Sequence, residues 1–140
     1  MGESARVSEL ILWLLLTVTP AHAPCAVFEA IDAQRGYAYA QESETLLNQV
    51  YASAELAKAD AKMLRDYGKR DVRVVSLLME RDSCEPSEAN SVEVVERLAR
   101  VEIEFEDGSR RLLPIGEWTQ RTVTLEFENH WRIAAIRAHD

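Results

Sequence analysis

The sequence predicts an α+β domain in which three N-terminal helices pack on a bent antiparallel sheet. Apolar residues recur at helical spacing as far as residue 68, and from residue 72 they follow the pattern of strands. A change of phase inside the longest strand indicates where the sheet bends. Helices followed by strands is the order of an α+β fold, in which the helices cover one face of the sheet.

Composition limits both the number of domains and the kinds of partner. The chain has 140 residues, the size of a single domain, and is 47% hydrophobic and 29% charged, as is typical of globular proteins. Its formal net charge is -8 and no basic stripe is visible. We therefore expect no binding to nucleic acid, because phosphate contacts need clustered lysine and arginine, and an anionic membrane surface would repel the chain as well.

Residues 1–23 read as an export signal. A polar start, MGESARVSE, is followed by the apolar LILWLLLTV and by TPAHA, which ends in a small-x-small cleavage pattern. The apolar run at residues 10–18 is much shorter than the roughly 20 residues that span a bilayer. We expect a secreted or extracytoplasmic domain at residues 24–140. The alternative, favoured by Pro24 directly after the site, is an uncleaved helix that anchors the chain to a membrane.

Cys25 and Cys84 are the two cysteines of the chain. In an oxidising compartment an even number of cysteines favours a disulfide, which here would join the first helix to a later loop. Two unconnected thiols are the alternative. Lipid attachment to Cys25 is not expected, because lipoprotein signals place a small residue where Pro24 stands.

Two helices are predicted before residue 52. The first covers residues 26–40, which are rich in alanine and free of proline. Its expected inner face consists of Val27, Ile31, Gln34 and Ala38. Ser43 can cap a short second helix, with Glu44 at the positive helix end. The inner face of that helix is expected to consist of Leu46, Leu47, Val50 and Tyr51.

The third helix is the clearest predicted element. Ser53 can cap its start, and Gly68 can end it in the left-handed conformation. Its buried stripe is predicted to consist of Leu56, Ala59, Met63, Leu64 and Tyr67. Asp60 lies on the same face, where an unpaired carboxylate would be costly. We therefore expect Asp60 to have a partner, either a helix end or an arginine.

Strands follow the third helix. Residues 72–79, VRVVSLLM, are apolar on both faces and predict a well-covered strand, whereas the polar RDSCEPSEANS at residues 81–91 is predicted to be a loop. In the long strand at residues 92–105, the apolar positions change from even to odd numbers. One extra residue near residues 98–100, forming a bulge, would bring both sets onto one side. Asp107-Gly108 then supplies a hairpin turn into residues 110–113.

The last hairpin lies in FENHWRIAAI, residues 127–136. A three-residue loop at residues 128–130 pairs apolar residues with apolar residues, and opposite charges with each other, across the two strands. The expected pairs are Phe127 with Trp131, Leu125 with Ile133, Val123 with Ala135 and Glu126 with Arg132. A two-residue loop would set charged against apolar groups at every step. Trp131 is therefore predicted to point inward, beneath the helices.

The pattern as a whole resembles a known superfamily. The segments AIDAQRGYAYAQ, LLNQVYA, a third helix ending in LRDYG, the bulged strand and HWRIAAI are similar to ketosteroid-isomerase-like, nuclear-transport-factor-2-like proteins over residues 26–137. More narrowly, LLNQVY, ELAKADAKMLRDYG and VRVVSL resemble small exported or membrane-anchored bacterial members with no assigned activity. The resemblance implies a cone-shaped, cystatin-like roll whose mouth lies between helices and sheet, often lined by aromatic residues and often used for dimer contacts.

The cone that the resemblance implies is the expected ligand pocket, with a lining of Tyr39, Asp60, Met63, Tyr67, Trp118 and Trp131. Enzymes of the superfamily resemble one another in combining a first-helix tyrosine with carboxylates or histidine from the sheet. Tyr37, Tyr39, Asp32 and Asp60 are the corresponding candidates here. The sheet partners are missing, since residues 72–79 carry no Asp, Glu or His. The remaining carboxylates, expected to face solvent by alternation, are Glu102, Glu104 and Glu126.

We expect a non-enzymatic exported domain that binds a protein partner or a small apolar ligand through its cone or sheet, as a monomer or a homodimer. A small-molecule isomerase or dehydratase is the alternative, and a structural accessory subunit is a third. A tyrosine and an aspartate meeting inside an enclosed cavity would favour the enzyme; a cone filled by Met63, Tyr67 and Trp131 would exclude it. No cofactor or metal is expected, because His22, His130 and His139 lie apart.

Overall fold

Three helices precede five strands in the computed structural model, which describes residues 23–139. The signal or anchor predicted at residues 1–23 lies outside the described residues, except for its last residue. The helices are α1 (Pro24–Ala40), α2 (Glu44–Val50) and α3 (Ala54–Lys69). The strands are β1 (Arg73–Pro86), β2 (Ser91–Glu104), β3 (Arg110–Leu112), β4 (Thr119–Glu128) and β5 (His130–His139). The predicted α+β fold class is confirmed.

The five strands form one antiparallel sheet with the order β1-β2-β4-β5. Strand β2 is central: one of its edges pairs with β1, and its other edge pairs with β4 along the first half and with β3 along the second. The helices cover the concave face. Within residues 23–139, no helix is long and apolar enough to cross a bilayer.

The bulge predicted near residues 98–100 is confirmed. Leu78 of β1 pairs with Arg100, and the next residue, Met79, pairs with Leu98, so Ala99 is the extra residue of β2. The apolar side chains on both sides of the bulge are buried on the concave face: Val92, Val94, Val101 and Ile103. Two further register shifts in β1, at residues 75 and 82, add to the bend.

Strand β1 is much longer than predicted. The prediction of a loop at residues 81–91 is wrong for residues 81–86, which pair with β2 as far as Pro86 opposite Val92. Pro86 is tolerated because it ends an edge strand, where its missing N–H costs no ladder hydrogen bond. The true turn is residues 87–90, with Asn90 at a φ of 60°.

Cys25 and Cys84 form a disulfide, with their Cα atoms 6.0 Å apart. It joins the first turn of α1 to the far end of β1. Because β1 continues through residue 84, the bond ties a helix to a strand rather than to the predicted loop.

The buried face of α3 differs from the predicted stripe. Ala57, Asp60, Ala61 and Leu64 are buried, whereas Ala59 is exposed and Met63 is 48% exposed; Leu56 and Tyr67 are half-buried. The small side chains of Ala57 and Ala61 allow α3 to pack closely on the rest of the fold. These alanines, rather than the larger Met63, therefore face the core. The end of the helix also differs: α3 continues through Gly68, and the left-handed residue is Asp71, at a φ of 54°.

The other two helices agree better with expectation. Helix α1 starts two residues earlier than predicted, with Pro24 in its first turn, where proline is favoured. Its buried face includes Ile31 and Ala38 as expected, together with Phe28 and Tyr39, but the predicted Gln34 is exposed. Ser43 caps α2 as predicted, and the buried residues of that helix are Leu47 and Val50.

The last hairpin has the predicted register near its turn. Phe127 pairs with Trp131 and Leu125 pairs with Ile133, and the two aromatic ring centroids lie 5.4 Å apart. Trp131 packs half-buried against the core, as predicted, while Phe127 is exposed at the end of the sheet. Val123 pairs with Ile136 rather than with the predicted Ala135, because the register shifts by one residue between Thr124 and Leu125.

Candidate functional site

A cavity of about 390 Å³ opens between α1, α3 and the concave face of the sheet. We call it the cone cavity. Its apolar walls are formed by Phe28, Leu56, Leu98, Val123, Ile133 and Ile136. Its polar lining includes Asp32, Arg35, Tyr51, Asp60, Glu117 and Arg121. Except for Glu117, these polar residues belong to two clusters of buried charge, which differ in how completely their hydrogen bonds are satisfied.

The Asp60 cluster consists of Asp60, Arg35, Tyr39 and Tyr51. Arg35 forms a bidentate ion pair with Asp60, with Nε 2.6 Å from Oδ2 and Nη2 2.8 Å from Oδ1. The Tyr39 hydroxyl donates to Oδ1 at 2.6 Å, and the Tyr51 hydroxyl donates to Oδ2. The prediction that Asp60 has a partner is confirmed, and of the two alternatives, a helix end or an arginine, the structure has the arginine. With two donors on each oxygen, the carboxylate has its acceptor sites filled.

Protonation in the Asp60 cluster is fixed by these contacts. Burial alone would raise the pKa of Asp60, but hydrogen bonds and charge from Arg35, with both tyrosine hydroxyls, outweigh it and lower that pKa. Burial raises the pKa of Tyr39 and Tyr51, and the Asp60 carboxylate raises both further. The aspartate is therefore held ionised and the tyrosines protonated, so the cluster offers neither a free base nor a free acid.

The Glu96 cluster consists of Glu96, Arg81, Asp32 and Arg121. Glu96 of β2 is fully buried, at 0% exposure. Arg81 Nη2 bridges the two carboxylates, lying 2.8 Å from Asp32 Oδ2 and 2.9 Å from Glu96 Oε2. Arg121 of β4 donates through Nη2 to Glu96 Oε1. The Arg81 guanidinium also lies over the Phe28 ring, 4.8 Å from its centroid.

Hydrogen bonding in the Glu96 cluster is incomplete. Asp32 Oδ1 and Arg121 Nη1 have no hydrogen-bond partner among the described residues, although both side chains line the cone cavity. Within residues 23–139, Arg121 Nε is the one buried side-chain nitrogen or oxygen that has no hydrogen-bond partner. Burial, and then repulsion from Glu96, raise the pKa of Asp32 despite the opposing charges of Arg35 and Arg81. This cluster therefore presents an open acceptor and an open donor.

Sequence reasoning missed three members of the Glu96 cluster: Glu96, Arg81 and Arg121. Position 96 has the same parity as Val92 and Val94, so the alternation that assigned those residues to the concave face also placed Glu96 there. The polar sequence around Arg81 predicts a loop, and only the extended β1 brings this residue beneath α1.

The structure brings some of the predicted site residues together. Tyr39 and Asp60 meet within hydrogen-bond distance, and Asp32 and Asp60 line the cone cavity. Tyr39 is fully buried below the cavity rather than in its lining. Tyr37, its alternative, is 59% exposed and lies outside the cavity.

The remaining predicted pocket residues lie elsewhere. Met63 is exposed because the buried face of α3 is rotated away from it, and Tyr67 lines a separate surface hollow of about 520 Å³. Trp118 is 44% exposed, and the guanidinium of the cavity-lining Arg97 lies 4.5 Å from the centroid of its indole ring. Trp131 packs against the core. The cone is therefore not filled by Met63, Tyr67 and Trp131.

Comparisons with known proteins add no relative. No protein-family model, curated protein or solved structure matches the chain. The resemblance to nuclear-transport-factor-2-like proteins therefore stays a prediction from the sequence pattern. In the part of the chain that the structure describes, no three His, Cys, Asp or Glu side chains are grouped so as to hold a metal ion.

Proposed function

We propose that this chain is a non-enzymatic binding domain whose cone cavity holds a small, largely apolar molecule. One observation carries the proposal: the cavity, about 390 Å³ in volume, has apolar walls and is not filled by Met63, Tyr67 and Trp131. This volume is within the range of small-molecule pockets, which are mostly apolar with a few placed polar groups.

The Asp60 cluster supports binding over catalysis. A general base needs a free oxygen, and a general acid needs a proton directed at the substrate. Asp60 accepts two hydrogen bonds from Arg35, and the protons of Tyr39 and Tyr51 point at Asp60. The isomerase or dehydratase alternative requires a tyrosine and an aspartate that act on a ligand. Tyr39 and Asp60 are hydrogen-bonded to each other instead, so they do not support this alternative.

Ion pairs on the outer face of the sheet favour the cone, rather than the sheet, as the binding surface. Glu102 pairs with Arg100 and Arg110, and Glu104 pairs with Arg73 and Arg110. Glu126 pairs likewise with Arg132 on the last hairpin. Interface cores are depleted in charged residues. A protein partner or a second copy of the chain would meet satisfied ion pairs on this face, so we place the ligand in the cone.

Two further proposals accompany this function. The three helices on a bent antiparallel sheet support membership of the nuclear-transport-factor-2-like superfamily. The Cys25–Cys84 disulfide supports an exported, extracytoplasmic protein, since disulfides persist in oxidising compartments. The intact mass of secreted protein tests export directly, because it reports both the removal of the N-terminal segment and the oxidation of the two thiols.

A fluorescence titration tests the proposed function. N-phenyl-1-naphthylamine is uncharged and becomes fluorescent in apolar surroundings, so we expect a saturable signal with one probe per chain. Ala59→Phe should weaken binding about tenfold, because Ala59 lines the cavity and the added ring fills it. Lys58→Phe is the matched control, exposed on the same helix and outside the lining. A linear signal, or equal binding by the two variants, would contradict the proposal.

A further inference from the structure

The polar lining of the cone cavity limits the chemistry of its ligand. We propose that the ligand is uncharged and carries, at one end, a head group that both donates and accepts a hydrogen bond, as a carboxamide does. This inference rests on the proposed function, because it assumes that the cone cavity is a ligand site. It names the class of molecule that the cavity accepts.

Charge balance is the first argument. The Asp60 cluster combines Arg35 with one carboxylate, and the Glu96 cluster combines two arginines with Asp32 and Glu96, so each cluster has a formal charge of zero. The two remaining charged residues of the lining, Arg97 and Glu117, carry opposite charges, so the lining as a whole is also neutral. An ion that enters this cavity loses its hydration and meets no net opposite charge, which is costly. The cavity therefore favours a neutral ligand over an anion or a cation.

The open hydrogen-bonding atoms are the second argument. Asp32 Oδ1 is an acceptor and Arg121 Nη1 is a donor, and neither has a partner among residues 23–139. Both atoms are accessible, because Arg121 Nε is the one buried side-chain nitrogen or oxygen without a partner in residues 23–139. Both side chains line the cone cavity. A ligand that fills the apolar part of the cavity must satisfy both atoms or leave them desolvated, which is costly.

A carboxamide meets both requirements. Its N–H can donate to Asp32 Oδ1, and its carbonyl oxygen can accept from Arg121 Nη1. A carboxylate would bring a second negative charge to Asp32, and an ammonium group would bring a second positive charge to Arg121. The apolar walls, with Phe28, Leu98 and Ile133, enclose the rest of the molecule.

The test compares four probes that share one ring system: 2-naphthamide, 2-naphthoate, 2-naphthylmethylammonium and 2-methylnaphthalene. Each is titrated at neutral pH to displace N-phenyl-1-naphthylamine from the purified protein. We expect the amide to bind about fivefold to tenfold more tightly than 2-methylnaphthalene, from its added hydrogen bonds. We expect both ions to bind more weakly than 2-methylnaphthalene.

Asp32→Asn sharpens the test, because it leaves the cavity with one excess positive charge. Binding of 2-naphthoate should then rise about tenfold relative to the amide. Glu29→Gln is the matched control: Glu29 lies on the same helix, 3.7 Å from Arg81, but is 66% exposed and outside the cavity lining. If circular dichroism shows that Asp32→Asn does not fold, Glu117→Gln at the cavity lining removes one negative charge there and should shift the same ratio in the same direction.

The outcomes separate the two levels of the argument. A preference of the wild-type protein for either ion, or a ratio of naphthoate to amide that the charge-removing variant leaves unchanged, would overturn the inference while the cone remained a ligand site. If none of the four probes displaced the dye, including uncharged 2-methylnaphthalene, the proposed function would fall and the inference with it.

Discussion

The two buried charge clusters both pair arginine with carboxylate, but their carboxylates differ in hydrogen bonding and in the direction of the pKa shift. In the Asp60 cluster one carboxylate receives four hydrogen bonds, and its pKa is lowered. In the Glu96 cluster two carboxylates share Arg81, and burial together with Glu96 raises the pKa of Asp32. The first cluster joins helices α1 and α3, and the second joins α1 to the sheet.

The difference shows how to separate structural from functional charge in a cavity. A buried carboxylate whose oxygens are all satisfied by its own chain stabilises the fold and has nothing left for a ligand. A carboxylate with a free oxygen and a raised pKa, such as Asp32, retains unfavourable energy that a ligand can relieve. Both residues are aspartates whose pKa burial raises; their hydrogen bonds decide that the pKa of Asp60 is lowered and that of Asp32 is not.

The largest expected effect comes from Asp60→Asn. This change leaves the Arg35 guanidinium buried without its counter-ion, which costs about 3–5 kcal/mol of unfolding free energy. Asp32→Asn should cost about 1 kcal/mol, because Arg81 keeps its bond to Glu96. Urea unfolding of both variants measures the difference. Equal losses would contradict the division into a structural and a functional cluster.

Removal of the disulfide should act on the Glu96 cluster. Cys25 precedes Asp32 on α1, and Cys84 follows Arg81 on β1, so the bond holds these two elements together. A disulfide between residues 59 apart stabilises by about 4 kcal/mol in the loop-closure model. We expect the double variant Cys25→Ser/Cys84→Ser to lose about that amount in urea unfolding.

The same double variant tests which cluster the disulfide supports. Its affinity for N-phenyl-1-naphthylamine should fall, since the wall formed by Phe28 and Asp32 is no longer held against β1. Wild-type protein reduced with dithiothreitol should match the variant. Unchanged dye affinity in both would show that the Asp60 cluster alone maintains the cavity.

Much of the fold could be predicted because its signals are local. The change of parity between Val94 and Val101 is visible in a few residues, and it predicts the bulge that the structure has at Ala99. The register of the last hairpin follows from matching Glu126 to Arg132 across a single turn. The need of Asp60 for a partner also follows from its position on an amphipathic helix.

The rest depends on packing between distant segments. Arg35 and Asp60 are 25 residues apart, and only the packing of α1 on α3 brings them together. Met63 has a stronger apolar signal than Ala57 or Ala61, but the small residues allow close approach and therefore face the core. The far end of β1 is polar because Arg81 bonds to carboxylates on α1 and β2, a relationship that no window along the sequence contains.

Removing a tyrosine hydroxyl from the Asp60 cluster should lower the unfolding free energy by less than Asp60→Asn does, and Tyr37 provides a matched control. Tyr39→Phe and Tyr51→Phe each remove one hydrogen bond to an ionised carboxylate, so each should lose about 1.5–3 kcal/mol of unfolding free energy. Tyr37→Phe, on the exposed side of α1, should change it by less than about 0.5 kcal/mol. Similar losses at Tyr37 and Tyr39 would show that Asp60 does not depend on the hydroxyls.

The smallest expected effect concerns pH: the contributions of Asp32 and Asp60 to the unfolding free energy should change with pH in opposite directions. The folded state raises the pKa of Asp32 above its usual value of 3.8, so folded protein binds more protons than unfolded protein in the window just above that value. The contribution of Asp32 to stability therefore falls as pH rises through this window. Asp60 behaves in the opposite way: its pKa is lowered, so its contribution is complete above 3.8 and is lost as pH falls below it.

Urea unfolding at a series of acidic pH values measures both signs. We expect the stability of wild type relative to Asp32→Asn to decrease with rising pH, with a slope of at most about 1.4 kcal/mol per pH unit. We expect the stability of wild type relative to Asp60→Asn to decrease with falling pH. Slopes of the same sign would mean that the two carboxylates are equivalent, and the free oxygen of Asp32 would then carry no energy for a ligand to relieve.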